Sequence, residues 1–90
     1  METIHVVYGE PRSEKCFRAH SLAVERLNAF VHEIDNDQDV KLILGSRYRH
    51  CIAILDAGDE VDARSMMASY AERVNVELCD VTFEQAPMHA

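Results

Sequence analysis

Cys51 and His5 are the pair from which covalent chemistry in this chain would have to be built. If their strands run side by side and antiparallel, thiol and imidazole approach one another, which is the minimum for an activated thiolate. A working nucleophile also needs a group that orients its base. No carboxylate stands beside either residue, and strand alternation turns His50 to the other face. The pair therefore reads as a buried or interface cysteine near a histidine, and no catalytic residues are expected. His20 falls between Phe17 and Val24 on an apolar helical stripe, where a lone histidine is read as a hydrogen-bonded core or edge residue rather than a ligand.

The carboxylates are a richer resource. Glu33, Asp35, Asp37 and Asp39 form one run and Asp56, Asp59, Glu60 and Asp62 a second, together half of the 16 acidic side chains. Neither run has the D-x-[DN]-x-[DN]-G loop with a distal glutamate that orients calcium ligands, so neither a metal nor a cofactor is expected. Arg12, Lys15 and Arg47, with Ser13 at a helix start, suit the opposite chemistry, because a helix N-terminus flanked by cations binds phosphate or carboxylate. No glycine-rich phosphate loop accompanies them, and Gly9 near Pro11 reads as a turn.

Charge and composition narrow the class. The net charge of −7 sets the chain against phosphate backbones, so direct nucleic-acid binding is not expected. Three cysteines, odd in number and without C-x-x-C spacing, argue for reduced thiols rather than a disulfide framework. No basic segment leads into an apolar run, and no stretch is long and apolar enough to span a membrane, so a cytoplasmic protein is expected. Ninety residues suffice for one hydrophobic core, read as a domain over 1–84 followed by a flexible tail, 85–90.

The elements that must position these residues follow from periodicity. Residues 3–8 alternate as a first strand, and from Ser13 the spacing of Phe17, Val24, Leu27, Val31 and Ile34 predicts a long amphipathic helix. Residues 40–44 and 48–55 read as a β-hairpin turning at 45–47. Asp59, Glu60 and Asp62 open a second helix with the stripe Ala63, Met66, Met67, Tyr70 and Val74. Residues 76–83 make a last strand with a bulge near Cys79 or Asp80. Strand, helix, strand pair, helix, strand is the ferredoxin-like βαββαβ order: an antiparallel four-stranded sheet with both helices on one face.

That topology gathers both acidic runs at one pole and Arg12, Lys15, Arg47, Arg49 and Arg73 at the other. It also leaves Val7, Ile43, Cys51, Ala53 and Leu55 on an open sheet face, apolar enough to imply a homodimer or docking surface. The face lacks the aromatic and basic residues that RNA stacking needs. The function expected is a non-enzymatic acidic interaction protein that binds and inhibits or regulates a larger nucleic-acid-handling protein complex. It would act as a nucleic-acid mimic, in the manner of anti-CRISPR and anti-restriction inhibitors. The alternative is a dimeric regulatory domain that senses a small anionic ligand.

Overall fold

Residues 4–8, apolar apart from His5, and the apolar run 51–55 become neighbouring interior strands, and their burial on both faces determines the architecture. The computed structural model describes residues 3–26, 29–45, 49–78 and 80–88. Its elements are β1 (Thr3–Gly9), α1 (Lys15–Glu25), β2 (Phe30–Ile34), α2 (Asp37–Leu44), β3 (His50–Asp56), α3 (Glu60–Arg73) and β4 (Val81–Gln85). The four strands form one sheet in the order β2-β3-β1-β4, and every pairing is parallel. The antiparallel ferredoxin-like arrangement is therefore not adopted.

Two local decisions account for the difference. Residues 30–34 leave the helical pattern after Glu25 and extend as the edge strand β2. Residues 37–44, expected to be a strand, are helical because Asn36 caps them. Its side chain accepts hydrogen bonds from the Gln38 and Asp39 amides at 2.9 and 3.2 Å, while the Asp39 carboxylate accepts from the Asn36 amide at 3.2 Å and the Asp35 amide at 2.8 Å. This reciprocal capping box satisfies amides that the first helical turn leaves free. With a helix between them, β2 and β3 pair parallel rather than as a hairpin. Gly45 becomes the C-cap of α2, and the rest of the expected turn, Ser46 and Arg47, lies outside the described residues.

Alternation along the central strands feeds two separate cores. Val7, Ile52 and Ile54 pack under α1 with Ala19, Leu22 and Ala86. Ile4, Val6, Tyr8, Cys51, Ala53 and Leu55 pack on the opposite face against Val40 and Ile43 of α2 and Ala63 and Met67 of α3. Helices thus cover both faces, one on the first and two on the second. Near-continuous apolar strands are the usual mark of such a parallel, doubly covered sheet. The expected final strand begins only at Val81, because Asp80 is left-handed (φ 51°) and turns the chain into β4. Cys79 lies outside the described residues.

The capping box makes stability depend on acid. Hydrogen bonds from the Asp35 amide and the His32 ring, the latter at 2.9 Å, hold the Asp39 carboxyl below its usual range. A carboxylate with a depressed folded-state pKa stabilises the fold above its ordinary pKa, and that contribution is lost as pH falls through the lowered value. Asp39→Asn should therefore cost about 1–3 kcal/mol at neutral pH. In denaturant titrations across pH, the gap from the parent protein should close below about pH 4. A gap that stays constant into acid would exclude this role for the carboxylate.

Candidate functional site at the carboxyl edge of the sheet

Because all four strands are parallel, every strand-to-helix loop opens at one edge, and the acidic runs meet there. β2 and β3 are hydrogen-bonded neighbours, with Ile34 opposite Leu55, and each leads into a helix on the same face. Glu33 and Asp35 lie at the end of β2, with Asp37 and Asp39 in the first turn of α2. Asp56 ends β3, Asp59 caps α3, and Glu60 and Asp62 fill the first turn of α3. The expected meeting of the two runs thus occurs, through parallel strands rather than through a shared end of an antiparallel sheet.

Local partners absorb some of these charges. Asp59 accepts from the Asp62 amide at 2.8 Å, and Glu60 pairs with Arg64 at 3.1 Å. Acidic groups at helix N-termini are also favoured by the helix dipole, by about 0.3–1 kcal/mol each. Asp35, Asp37 and Asp62 make no side-chain ion pair with any described residue. The negative field reaches inward: burial first, then the charges of Glu60 and Asp59, push the Tyr8 phenol up. Val61 stands among these acids with 76% of its surface exposed, an apolar contact point that charge patterning alone does not reveal.

The cations are distributed differently from the expectation. Arg12 and Lys15 stand at the start of α1, on the same edge as the acids, since every helix begins there. The opposite edge carries Arg26 after α1, Lys41 in the last turn of α2, Arg49 before β3 and Arg73 in the last turn of α3. Arg47 lies outside the described residues. The molecule is dipolar along its strands, with a changed membership.

α1 and α3 leave the adjacent strands β1 and β3 toward opposite faces, which makes their carboxyl ends the topological switch point where doubly wound folds hold ligands. Here the protein fills that position itself. Lys15, 8% exposed, extends to Asp56 at 2.6 Å and to the Glu10 carbonyl at 3.1 Å. The Ala57 amide ties the loop to the Gly9 carbonyl at 3.0 Å. Gly9 is required by the turn above it, since a Cβ there would collide with Ser13. What remains is a cleft of about 230 Å³ between Pro11, Cys16, Glu33 and Asp35, below the roughly 300–1,000 Å³ of small-molecule sites. Its lysine is already neutralised, so the expected anion site at Arg12, Lys15 and Arg47 has no free cation at Lys15.

The thiol–imidazole pair does not form. In the parallel register Ile4 stands opposite Cys51 and His5 opposite Ile52, so His5 and Cys51 point to opposite faces of the sheet. Val7, Ile43, Cys51, Ala53 and Leu55 are all at most 1% exposed, and Ile43 belongs to α2 rather than to a strand. They are core residues on two sides of the sheet, and the open face expected of them is covered by helices. His5 instead joins a network that sequence reading does not reveal, because each of its contacts joins residues more than 60 positions apart. Its Nε2 donates to Glu84 at 3.2 Å, its Nδ1 is hydrogen-bonded to the Thr82 hydroxyl at 2.5 Å, and Arg18 of α1 closes the network on Glu84. The Arg18 guanidinium, then the His5 contact, hold the Glu84 carboxyl below its usual range. This chain of polar groups fastens the edge strand β4 to β1 and α1. Thr82 does not line the cleft at the strand ends. Among the described residues no three His, Cys, Asp or Glu side chains converge on a metal position.

Cys16 is exposed beside this cleft, with its thiol 3.5 Å from Glu33, whereas Cys51 is buried. Burial, then the Glu33 carboxylate, push the Cys16 thiol up. In a Cys79→Ser background, a thiol reagent should label Cys16 slowly in the native protein and Cys51 only after unfolding. Glu33→Gln should accelerate the Cys16 reaction. Native labelling of Cys51 at the Cys16 rate would refute the burial of β3.

No family model, curated protein or solved structure matches this chain. No helix among the described residues is long and apolar enough to cross a membrane.

Proposed function

We propose that this protein is a non-enzymatic interaction module. It presents the acidic carboxyl edge of its sheet to the basic groove of a larger nucleic-acid-handling protein complex and thereby inhibits or regulates it. The observation that carries this reading is the convergence of two acidic runs on adjacent parallel strand ends, with Asp35, Asp37 and Asp62 making no ion pair among the described residues and Val61 exposed among them. Carboxylates held on a rigid scaffold can occupy positions that a groove has built for phosphates. Several charges acting together speed encounter and make it sensitive to salt. Val61 supplies the apolar contact that a protein partner, unlike a counter-ion, can cover. The same geometry disfavours small-anion sensing, since Lys15 is paired and the cleft beside it is small.

The test is affinity capture with the tagged domain from nuclease-treated lysate at low and at high salt. The expected result is a nucleic-acid-binding protein retained at low salt and released at high salt. A partner held equally at both, or capture of proteins without nucleic-acid-binding activity, would refute the reading.

A further inference from the structure

Where α3 ends, the chain folds back on it and leaves a cleft. Asn75 is left-handed (φ 56°), and hydrogen bonds close the reversal, from the Asn75 amide to the Glu72 carbonyl at 3.1 Å and from the Val76 amide to the Ala71 carbonyl at 3.0 Å. This closure of the helix end holds residues 76–78 beside α3, where both line the same space. Ala68, Ala71 and Glu72 share one side of the helix. Two of the three end at a methyl group, so the space stays unfilled. It measures about 510 Å³, against about 230 Å³ at the strand ends, and falls within the roughly 300–1,000 Å³ of small-molecule sites. Its apolar wall is Ala68, Ala71, Val76 and Leu78, and its charges are the exposed carboxylates of Glu72 and Glu77. Neither carboxylate makes an ion pair with any described residue. Among the described residues no lysine, arginine or histidine lines the cleft, and Arg73, the cation of the last turn, stacks over Tyr70 at 6.0 Å.

We propose that this cleft binds a small aliphatic diamine, with its hydrocarbon body against Val76, Leu78 and the two alanines and its ammonium groups on Glu72 and Glu77. The charges set the sign of the ligand. Two carboxylates without a cation suit a dication, hydrogen-bonded to each of them, and repel an anion. The apolar wall sets the body of the ligand, since a hydrated inorganic cation would leave Val76 and Leu78 uncovered. Among the described residues the cleft also lacks the third carboxylate, thiol or imidazole that a metal position needs. The site is separate from the acidic carboxyl edge: α3 begins at that edge and runs 14 residues, about 20 Å, before it reaches the cleft.

The experiment is an amide chemical-shift titration of the isotope-labelled full chain with cadaverine at neutral pH. Pentylamine supplies the same body with one charge, pentanediol the body without charge, and magnesium chloride the charge without a body. Cadaverine should give saturable shifts at Ala71, Asn75, Val76, Glu77 and Leu78, half complete below about 1 mM. Pentylamine should bind more weakly, and pentanediol and magnesium should leave these amides unmoved. Glu72→Gln and Glu77→Gln should each weaken binding about two- to fivefold, as partly exposed ion pairs do. Ala68→Phe, which changes an exposed residue, should keep the parent's circular dichroism and abolish the shifts by filling the cleft. Shifts that never saturate, or that centre on Asp35, Asp37 and Asp62, would be general attraction to an acidic chain and overturn the proposal. An equal response to magnesium overturns it as well, as does parent affinity in the folded Ala68→Phe protein or in the Glu72→Gln, Glu77→Gln double variant.

Discussion

Val7→Lys should unfold the domain. Val7 is fully buried between the sheet and α1, packed with Ala19, Leu22, Ile52, Ile54 and Ala86, and the carboxylate opposite it on β4, Glu84, is already held by Arg18 and His5. An unpaired ammonium in such a place costs several kcal/mol, and the longer side chain adds the strain of overpacking. A chain of 90 residues has about 5–13 kcal/mol of stability in total, so the loss consumes much or all of it. Circular dichroism and thermal melting should show a lost or severely lowered transition. On an open sheet face the same change would stay within about 0.5 kcal/mol. A Val7→Lys protein melting with its parent would therefore contradict the covered sheet and favour the antiparallel arrangement.

The second large effect concerns binding with the fold intact. Changing Asp35, Asp37 and Asp62 together to lysine removes three carboxylates that form no side-chain ion pair among the described residues and reverses their sign. Asp39 and Asp59 are left in place because they cap α2 and α3. The variant should stay folded, with its melting temperature lowered by the reversed helix-dipole interactions of Asp37 and Asp62, about 0.3–1 kcal/mol for each carboxylate removed and about as much for each ammonium introduced. Its association with the captured partner should slow at least about tenfold, and its dependence on salt should flatten. Undiminished binding at low salt would show that these carboxylates serve the helix ends and solubility alone. The comparison is informative because capping is preserved by design, so loss of binding cannot be attributed to loss of α2 or α3.

Several single elements are legible in the sequence, but the sheet topology is not. The strand at 3–8, the strand ending near Leu55 and the helix opening at Asp59 follow directly from alternation, apolar content and capping chemistry. What misled was the middle of the chain. Val31 and Ile34 continue the helical spacing from Val24 and Leu27, so periodicity alone reads β2 as part of a longer helix. Asn36 and Asp39, three residues apart, carry a capping-box signature, yet within an acidic stretch they read as a loop. Once α2 is missed, β2 and β3 become a hairpin and the sheet becomes antiparallel. The apolar content of both faces of β1 and β3 was the available correction. Interior parallel strands look like that, and an exposed face in need of a partner looks the same in one dimension.

The site was legible in a different way. That the two acidic runs lie at one end is legible, because the segments 33–39 and 56–62 share an end of the domain under either topology. The positions of Arg12 and Lys15 are not, since only an all-parallel sheet brings the β1–α1 loop to that same end. The burial of Lys15 and the His5–Thr82–Glu84–Arg18 network depend on which strands neighbour β1, which no local pattern encodes. The apolar stripe of α1 shows the same limit, since Phe17 and Val24 are exposed. Periodicity finds an apolar line, and only packing shows whether the line faces a core.

The most direct test of the central claim is a displacement titration. Labelled nucleic acid is bound to the captured partner, and the domain is added as the parent protein or as the Asp35, Asp37 and Asp62 lysine variant. The account predicts that the parent releases the nucleic acid at stoichiometric concentration, less effectively as salt is raised, and that the variant does not. Simultaneous binding of parent protein and nucleic acid to the partner, or equal release by parent and variant, would contradict it.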